Sequence, residues 1–288
     1  LVPLRHGESF KDAMDAMVRL AKRVEDLGYT RYWIAEHHNM RSIASSATQL
    51  LIQHTLANTK KIRVGSGGVM LPNHSPYLIA EQYGTLETLY PNRVDLGLGR
   101  APGTDVPTAM ALRRTRDLKT DFERDLAELS GYFKGSNYVQ AYPAHGLYLP
   151  FYILGSSTDS AYLAAKLGLP YSFAAHFAPM MMENAIAIYN RYFQPSAILD
   201  KPYVILGVNA ILADTDEEAK RLSTTMIQSF LNIVTSNQKG LMPPLQSEEA
   251  VWREFIATNK VPHFGPIAFE IDNLISHEKE IVEKMTKV

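Results

Sequence analysis

Cysteine is absent from this chain of 288 residues. Its absence excludes disulfide cross-links, thiolate metal sites and cysteine nucleophiles. An excess of positive charge is also lacking, since 29 basic residues nearly balance 30 acidic ones, which argues against a nucleic-acid partner. No apolar run reaches the roughly 20 residues of a membrane span, and residues 1–28 do not resemble a signal peptide. We therefore expect a cytoplasmic protein, not bound to membranes, that acts on small molecules or other proteins.

Two motifs of nucleotide and ester chemistry are missing as well. The chain contains neither G-x-x-x-x-G-K-[ST] nor G-x-S-x-G, so neither a P-loop nor a hydrolase nucleophile elbow is supported. The run GLGRAPG at 97–103 matches a dinucleotide fingerprint only loosely. The residues that follow its second glycine do not begin a helix, so we interpret them as a loop.

The stretch 62–103 organises the rest of the chain. A β-branched segment at 62–69 is followed by Ser75-Pro76, which favours the start of a helix, and an apolar run resumes at 94–98. A strand, a crossover helix and a second strand in this order predict a parallel sheet. Both strands end in glycines, at the end where ligands bind in α/β folds.

Strands and helices alternate along the whole chain without a linker that would divide it into domains. Strands are predicted at 32–35, 62–69, 94–98, 151–154, 171–174 and 203–212, with a weaker one at 269–275. Helices are predicted at 10–27, 46–58 (with Leu50 facing inward), 76–90, 117–133, 158–167, 179–193, 215–235 and 278–285. A loop is predicted at 101–116, and only a short helical piece after 241. The opening residues read as the end of a further strand, so we expect an eight-stranded (β/α)8 barrel as a single domain over 1–288. An open doubly wound sheet is the alternative.

Glu36, His37 and His38 end a predicted strand, where barrel enzymes place catalytic groups. Neighbouring strand residues point to opposite faces, so only one of the two histidines can face a given ligand. A metal site is disfavoured because there is no H-E-x-x-H motif and no third ligand nearby in sequence. A purely structural role for both histidines stays open.

A second candidate site lies at 155–160, where a glycine- and hydroxyl-rich turn leads into a helix. Free backbone N–H groups and the positive end of the helix dipole suit a phosphate there. Simple capping by Ser157 or Thr158 is the alternative. Arg100, which ends the neighbouring strand, could add a bidentate phosphate contact, and Arg113 and Arg114 could assist from the loop.

Four segments together resemble the bacterial luciferase-like monooxygenases, a family of flavin-dependent (β/α)8 barrels. The matching segments, in order, are YWIAEHH at 32–38, VGSGGVMLP at 64–72, RVDLGLGR at 93–100, and LGSS at 154–157 running to GLP at 168–170. The resemblance covers about residues 5–235.

The resemblance implies a monooxygenase that binds FMN, received in reduced form from a separate flavin reductase, and that uses oxygen to oxidise a small apolar substrate. It implies that His37 is the catalytic histidine and that Gly67-Gly68 form a cis peptide under the flavin ring. It assigns the phosphate contacts to Arg100, Ser157 and Ser160. It further implies a homodimer through the helix at 76–90 and its neighbour.

Three departures from the family pattern keep other functions open. The family's first strand is absent except for the end that the opening residues represent, so we expect a barrel in which this strand and late C-terminal segments are missing. Gly99 stands where the luciferase large subunit has a cysteine, and the family's V-G-[ST]-P helix is not recognisable between 241 and 266. The alternatives are an oxidoreductase of the same superfamily that uses the deazaflavin F420, and a flavin-binding protein without catalysis. The substrate could be an aldehyde, an alkane or a sulfur compound.

Overall fold

A computed structural model describes residues 1–101, 103–113, 119–235 and 240–259. Its strands are β1 Arg31–Ile34, β2 Arg63–Met70, β3 Val94–Gly99, β4 Phe151–Gly155, β5 Tyr171–Phe173 and β6 Val204–Leu206. Its α-helices are α1 Phe10–Asp26, α2 Thr48–Asn58, α3 Pro76–Leu89, α4 Val106–Arg113, α5 Phe122–Lys134, α6 Thr158–Leu167, α7 Met182–Tyr192, α8 Asp216–Val234 and α9 Glu248–Asn259. Short 3₁₀ turns precede α3 at Leu71–Asn73 and α7 at Pro179–Met181.

The six strands form one parallel sheet in the order β1-β2-β3-β4-β5-β6. A doubly wound sheet reverses its strand order at the point where its ligand binds, whereas a barrel adds strands in sequence. The sequential order therefore excludes the doubly wound alternative over the described strands. The predicted barrel-type α/β fold is confirmed there, and the weak strand at 269–275 and the helix at 278–285 lie outside the described residues.

The sheet curls, as side-chain contacts across its concave face show. In a flat sheet, β1 and β4 would lie roughly 14 Å apart, three strand spacings. Yet Arg31 Nη2 donates to Tyr152 Oη at 2.9 Å, and the rings of Trp33 and Tyr152 meet edge-on at 5.0 Å between centroids. The sheet must bend toward a closed barrel to bring these side chains together.

A buried charge cluster fills the concave face near the amino ends of the strands. Asp95 on β3 is completely buried. Its carboxylate accepts hydrogen bonds from Arg31 Nε at 3.0 Å, Trp33 Nε1 at 3.0 Å and Arg63 Nε at 2.8 Å. These bonds tie β1, β2 and β3 together below the level of the carboxyl ends.

The outer helices bury their apolar faces against the convex side of the sheet. Helix α1 begins with a capping box, in which Ser9 and Asp12 bond each other's backbone N–H groups. Ile79 and Tyr83 of α3 are fully buried, as their spacing predicts. Among the described helices, none is long and apolar enough to cross a bilayer.

Five local predictions were wrong. The predicted loop contains α4, which begins because Asp105 accepts bonds from both the backbone N–H and the hydroxyl of Thr108 at 2.9 Å. Helix α5 begins only at Phe122, where Asp121 caps it. Strand β6 has three residues, because its partner β5 ends at Phe173 and the chain turns away.

The other two errors concern helices in the outer layer. Leu50 points to solvent rather than inward, because Leu51 and Ile52 already fill the buried face of α2. The short helical piece expected after 241 is the 12-residue helix α9. Its Val251 and Phe255 pack on Ile227 and Leu231 of α8 in a small apolar cluster of their own.

Candidate active site at the carboxyl ends of the strands

Glu36 is the centre of a hydrogen-bonded group just past the end of β1. It is fully buried, and its Oε1 accepts hydrogen bonds from His38 Nε2 and His74 Nε2, each at 2.8 Å. Its Oε2 accepts the backbone N–H of Met70 at 3.3 Å. Burial alone would raise the pKa of Glu36, but the bonds from His38 and His74 lower this pKa to about 2. Glu36 is therefore a carboxylate at neutral pH.

His74 overturns one premise of the sequence analysis, which found no third ligand beside Glu36 and His38. The three residues have the composition of a metal site. In this geometry, however, both imidazole nitrogens approach the same carboxylate oxygen at a normal hydrogen-bond distance, so each serves as an N–H donor. The hydrogen bonds account for the arrangement, and we assign no metal to it.

A Glu36→Gln variant tests this hydrogen-bonded group. At neutral pH we expect it to lower the free energy of unfolding by about 2 kcal/mol, the usual worth of hydrogen bonds to a charged group. Because folding lowers the pKa of Glu36, the wild-type advantage is complete above the unfolded pKa near 4.5 and shrinks as the pH falls toward 2. Urea unfolding of both proteins between pH 7 and pH 3.5 measures this difference. A gap that stayed constant over that range would contradict the assignment.

His37 follows Glu36 but has separate partners. Its backbone N–H donates to Ser45 O at 3.2 Å, and its half-buried imidazole bonds the backbone of Gly103. Burial lowers the pKa of His37, and the bond with Gly103 opposes this shift only in part. The two histidines thus differ as the strand geometry predicts: His38 is tied to Glu36, while His37 is a neutral imidazole able to accept a proton.

In the middle of the carboxyl end of the sheet, β2 presents backbone without side chains. The peptide bond between Gly67 and Gly68 is cis, as the family resemblance implies. A Cβ on Gly67 would lie 3.1 Å from Trp33 Cβ, and one on Gly68 would lie 2.8 Å from Gly97 O. A side chain is thus sterically excluded at Gly68 and would be crowded at Gly67, and the glycines leave a backbone surface beside Trp33.

The predicted phosphate turn lies at the end of β4, and its two serines differ. Ser157 is the N-cap residue of α6, but its hydroxyl makes no capping bond. Ser160 instead donates its hydroxyl hydrogen to Ser157 O at 2.7 Å and contacts Tyr171 Oη at 3.0 Å. The simple capping alternative therefore fails for Ser157, and Ser160 holds the turn in shape.

Arg100 is brought to the same turn. Its Nη2 lies 3.4 Å from Oδ2 of Asp159, in the first turn of α6, and both side chains are largely exposed, at 57% and 69%. An exposed pair at this distance is weak, so the guanidinium can turn to another anion. Arg113 instead donates to Lys119 O at 3.2 Å, and Arg114 lies outside the described residues.

The candidate site therefore combines groups from four neighbouring strand ends: His37 after β1, Gly67-Gly68 in β2, Arg100 after β3 and the Ser157 turn after β4. The sequence profile of the luciferase-like monooxygenases matches residues 3–263. The chain belongs to this family.

Individual relatives agree with that assignment. A luciferase-like monooxygenase of Escherichia coli strain K12 is 49% identical over 256 residues, which cover 88% of this chain and 76% of the relative. An N-acetyl-S-alkylcysteine monooxygenase of Bacillus subtilis strain 168 is 39% identical over 180 residues, covering 58% of this chain and 53% of the relative. These similarities support an oxidoreductase of the luciferase-like type.

Solved structures share the fold. Apo-MsnO8 matches with a TM-score of 0.81 and 33% identity, over 93% of this chain and 78% of that one. The oxygenating constituent of 3,6-diketocamphane monooxygenase from Pseudomonas putida, in complex with FMN, matches with a TM-score of 0.62 and 18% identity, over 96% and 89%. An F420-dependent secondary alcohol dehydrogenase matches with a TM-score of 0.58 and 16% identity, over 95% and 87%. Family membership alone thus leaves the choice between FMN and F420 open.

His74 was the residue of this site that sequence reasoning missed. It follows the end of β2 by four residues, just as Glu36 follows the end of β1 by two. The rule that selected Glu36, a polar side chain just past a strand's carboxyl end, applies equally to His74. Applied to every strand, it would have found this third member.

Proposed function

We propose that the protein is a flavin-dependent monooxygenase that takes up reduced FMN from a separate flavin reductase and oxidises a small, largely apolar organic substrate. The observation that carries the proposal is the position of Arg100 beside the uncapped N-terminus of α6, at the same end of the sheet as His37 and Gly67-Gly68. In one site, the anionic tail of a ligand would contact Arg100 and the N-terminus of α6, and its flat ring system would contact Gly67-Gly68.

The residues present fit FMN. Free N–H groups at Ser157 and Thr158, together with the Arg100 guanidinium, would hold its phosphate. The glycine surface at 67–68, which carries no side chain, would take the flat ring. When bound, reduced flavin supplies the activation of molecular oxygen.

The chain's own groups would then control protons and solvent. His37 is neutral at pH 7 and can take a proton from a group beside it and later return it. Exposed apolar side chains past β5, from Phe177, Met180 and Met181, would contact the substrate and exclude water. These side chains support an apolar substrate.

The glycine-rich segment at 97–103 does not have the geometry of a nicotinamide dinucleotide site, which supports a separate reductase as part of the proposal. The segment is the end of β3 and the residues after it, and α4 begins only at Val106. Without a helix N-terminus directly after the glycines, the usual binding site for a dinucleotide pyrophosphate is not formed there. We therefore propose that reduced flavin comes from another protein.

Anaerobic titration with photoreduced FMN, followed by rapid mixing with oxygen, tests the proposed function. We expect tight binding and, during reoxidation, a transient absorption spectrum that matches neither oxidised nor reduced FMN. Binding without this transient would instead indicate a flavin-binding protein without catalysis. Failure to bind FMN, together with tight binding of F420, would indicate a deazaflavin-dependent oxidoreductase.

The phosphate contact has its own prediction. Arg100→Ala should weaken the affinity for FMN about tenfold or more, because a charge-assisted contact is lost. Its affinity for riboflavin, which lacks the phosphate, should stay unchanged. Arg19→Ala, which removes an exposed arginine from α1, is the matched control. Equal losses for both flavins, or none, would contradict the assignment of Arg100.

We also propose that the protein forms a homodimer through α2 and α3. Leu50 on α2 and Leu89 on α3 are 70% and 58% exposed, and contact between two copies at these helices would remove both side chains from water. The double variant Leu50→Glu and Leu89→Glu should halve the mass seen by light scattering at micromolar concentration. Leu20→Glu on α1, also an exposed leucine, should not. A monomeric mass for the unchanged protein would contradict the dimer.

A further inference from the structure

His176 lies at the same end of the sheet as the candidate site, three residues past β5. The strand before it is connected to the phosphate turn. Ala174 N–H donates to Gly155 O at 2.9 Å, and Tyr171 Oη donates to Ser157 O at 3.2 Å. His176 is therefore a neighbour of the turn that would hold a phosphate.

Hydrogen bonds fix both the ring of His176 and its tautomer. Gly207 O, just past β6, accepts the backbone N–H of His176 at 2.8 Å and lies 3.1 Å from its Nδ1. A carbonyl oxygen can only accept, so Nδ1 must carry the proton. In a neutral ring, Nε2 then presents a lone pair.

Gly207 also makes room for this arrangement. A Cβ at position 207 would lie 2.8 Å from His176 Nδ1 and 3.0 Å from its Cε1. A larger residue would therefore push the ring away from β6. The absence of a side chain at Gly207 and the ring position of His176 depend on each other.

The outer nitrogen of the ring has no role in the fold. Within the part of the chain that the structure describes, Nε2 of His176 has no hydrogen-bond partner, although the ring is half-buried beside Phe177. Burial lowers the pKa of His176, and the bond to Gly207 offsets this only in part, so the ring is neutral at pH 7. An acceptor at this position suits a ligand that offers an N–H or O–H group, and a phosphate dianion offers neither.

We propose that His176 is a cofactor-binding residue whose Nε2 accepts a hydrogen bond from a hydroxyl of the flavin's ribityl chain. This inference rests on the proposed function. A flavin with its phosphate at the Ser157 turn after β4 and its ring over Gly67-Gly68 of β2 extends away from β5. The donors nearest His176 are therefore the ribityl hydroxyls next to the phosphate. The contact would add a second imidazole to the site besides His37.

The test compares the affinities of the unchanged protein and His176→Asn for reduced FMN and reduced riboflavin in anaerobic titrations. Asparagine can keep an N–H donor for Gly207 O while removing the outer nitrogen. We expect about five- to tenfold weaker binding of both flavins, the worth of one hydrogen bond. Gly207→Ala, which displaces the ring, should weaken both to a similar degree.

His145→Asn, at an exposed position of the connector between α5 and β4, is the matched control, and near-ultraviolet circular dichroism checks that each variant is folded. If His176 only linked β5 to β6, the asparagine variant would bind both flavins normally, and the proposal would be overturned. A loss confined to FMN would also overturn it, since the contact would then concern the phosphate. If the unchanged protein bound neither flavin, the proposed function itself would fail and this inference with it.

Discussion

His37→Ala is expected to lower turnover at least about a hundredfold while leaving the affinity for reduced FMN within about twofold, because a positioned proton carrier contributes on the order of 10² to 10⁴ in rate. The imidazole is half-buried, and its described contact is with the Gly103 backbone rather than with the predicted phosphate turn. Its removal should therefore affect proton movement more than binding. Turnover is measured with the best substrate from a panel of thioethers, aldehydes and alkanes.

The pH profile separates this role from a structural one. Burial lowers the pKa of His37, so the active neutral form should persist down to pH values below its ordinary pKa of 6.5. In the unchanged protein, kcat/KM should be flat above pH 6.5 and fall at lower pH. In His37→Ala, the residual rate should lack this acid limb. Wild-type turnover in the variant would disprove the assigned role.

His38→Ala is the informative comparison, since the neighbouring histidine donates to Glu36 instead. Its removal takes one hydrogen bond from a buried carboxylate, which should lower the unfolding free energy by about 1.5 to 3 kcal/mol. Any loss of activity should then accompany the loss of stability. The two alanine variants thus distinguish the catalytic from the supporting imidazole.

The sequence predicted the first five strands well because each carries a local signal, whereas the predicted length of β6 was wrong. The apolar runs at β2, β3 and β4, and the glycines that end them, are visible without any partner. The buried face of each helix was harder to predict. Leu50 and Leu51 are adjacent leucines, and only the packing of α2 on the sheet decides which of them is buried.

Contacts between distant residues account for what the sequence could not show. His74 meets Glu36 across 38 positions, and His176 meets Gly207 across 31. No local pattern encodes either pair. The cis bond at Gly67-Gly68 was expected only through the family resemblance, since nothing in the composition of the segment requires it.

Asp95 shows this dependence on distant partners most clearly, because it appears in sequence as a lone charge within an apolar run. Its partners Arg31 and Arg63 lie 64 and 32 positions away. Asp95→Ala is expected to lower the unfolding free energy by about 3 to 5 kcal/mol, since it leaves two partly buried guanidinium groups without their counter-charge. For a chain of this size, that corresponds to a fall in Tm of about 10 °C.

Asp15→Ala is the matched control, because Asp15 pairs with Lys11 on the exposed surface of α1, where such pairs contribute at most about 1 kcal/mol. A cost for Asp95→Ala no larger than this control would show that the cluster is dispensable.

The location of Asp95 adds a second expectation. It lies at the amino end of β3, whereas the candidate site lies at the carboxyl ends, and in barrels the first end supports stability and the second supports function. Asp95→Asn, which keeps an acceptor oxygen and the volume, should therefore lower Tm while the folded fraction still binds reduced FMN with unchanged affinity.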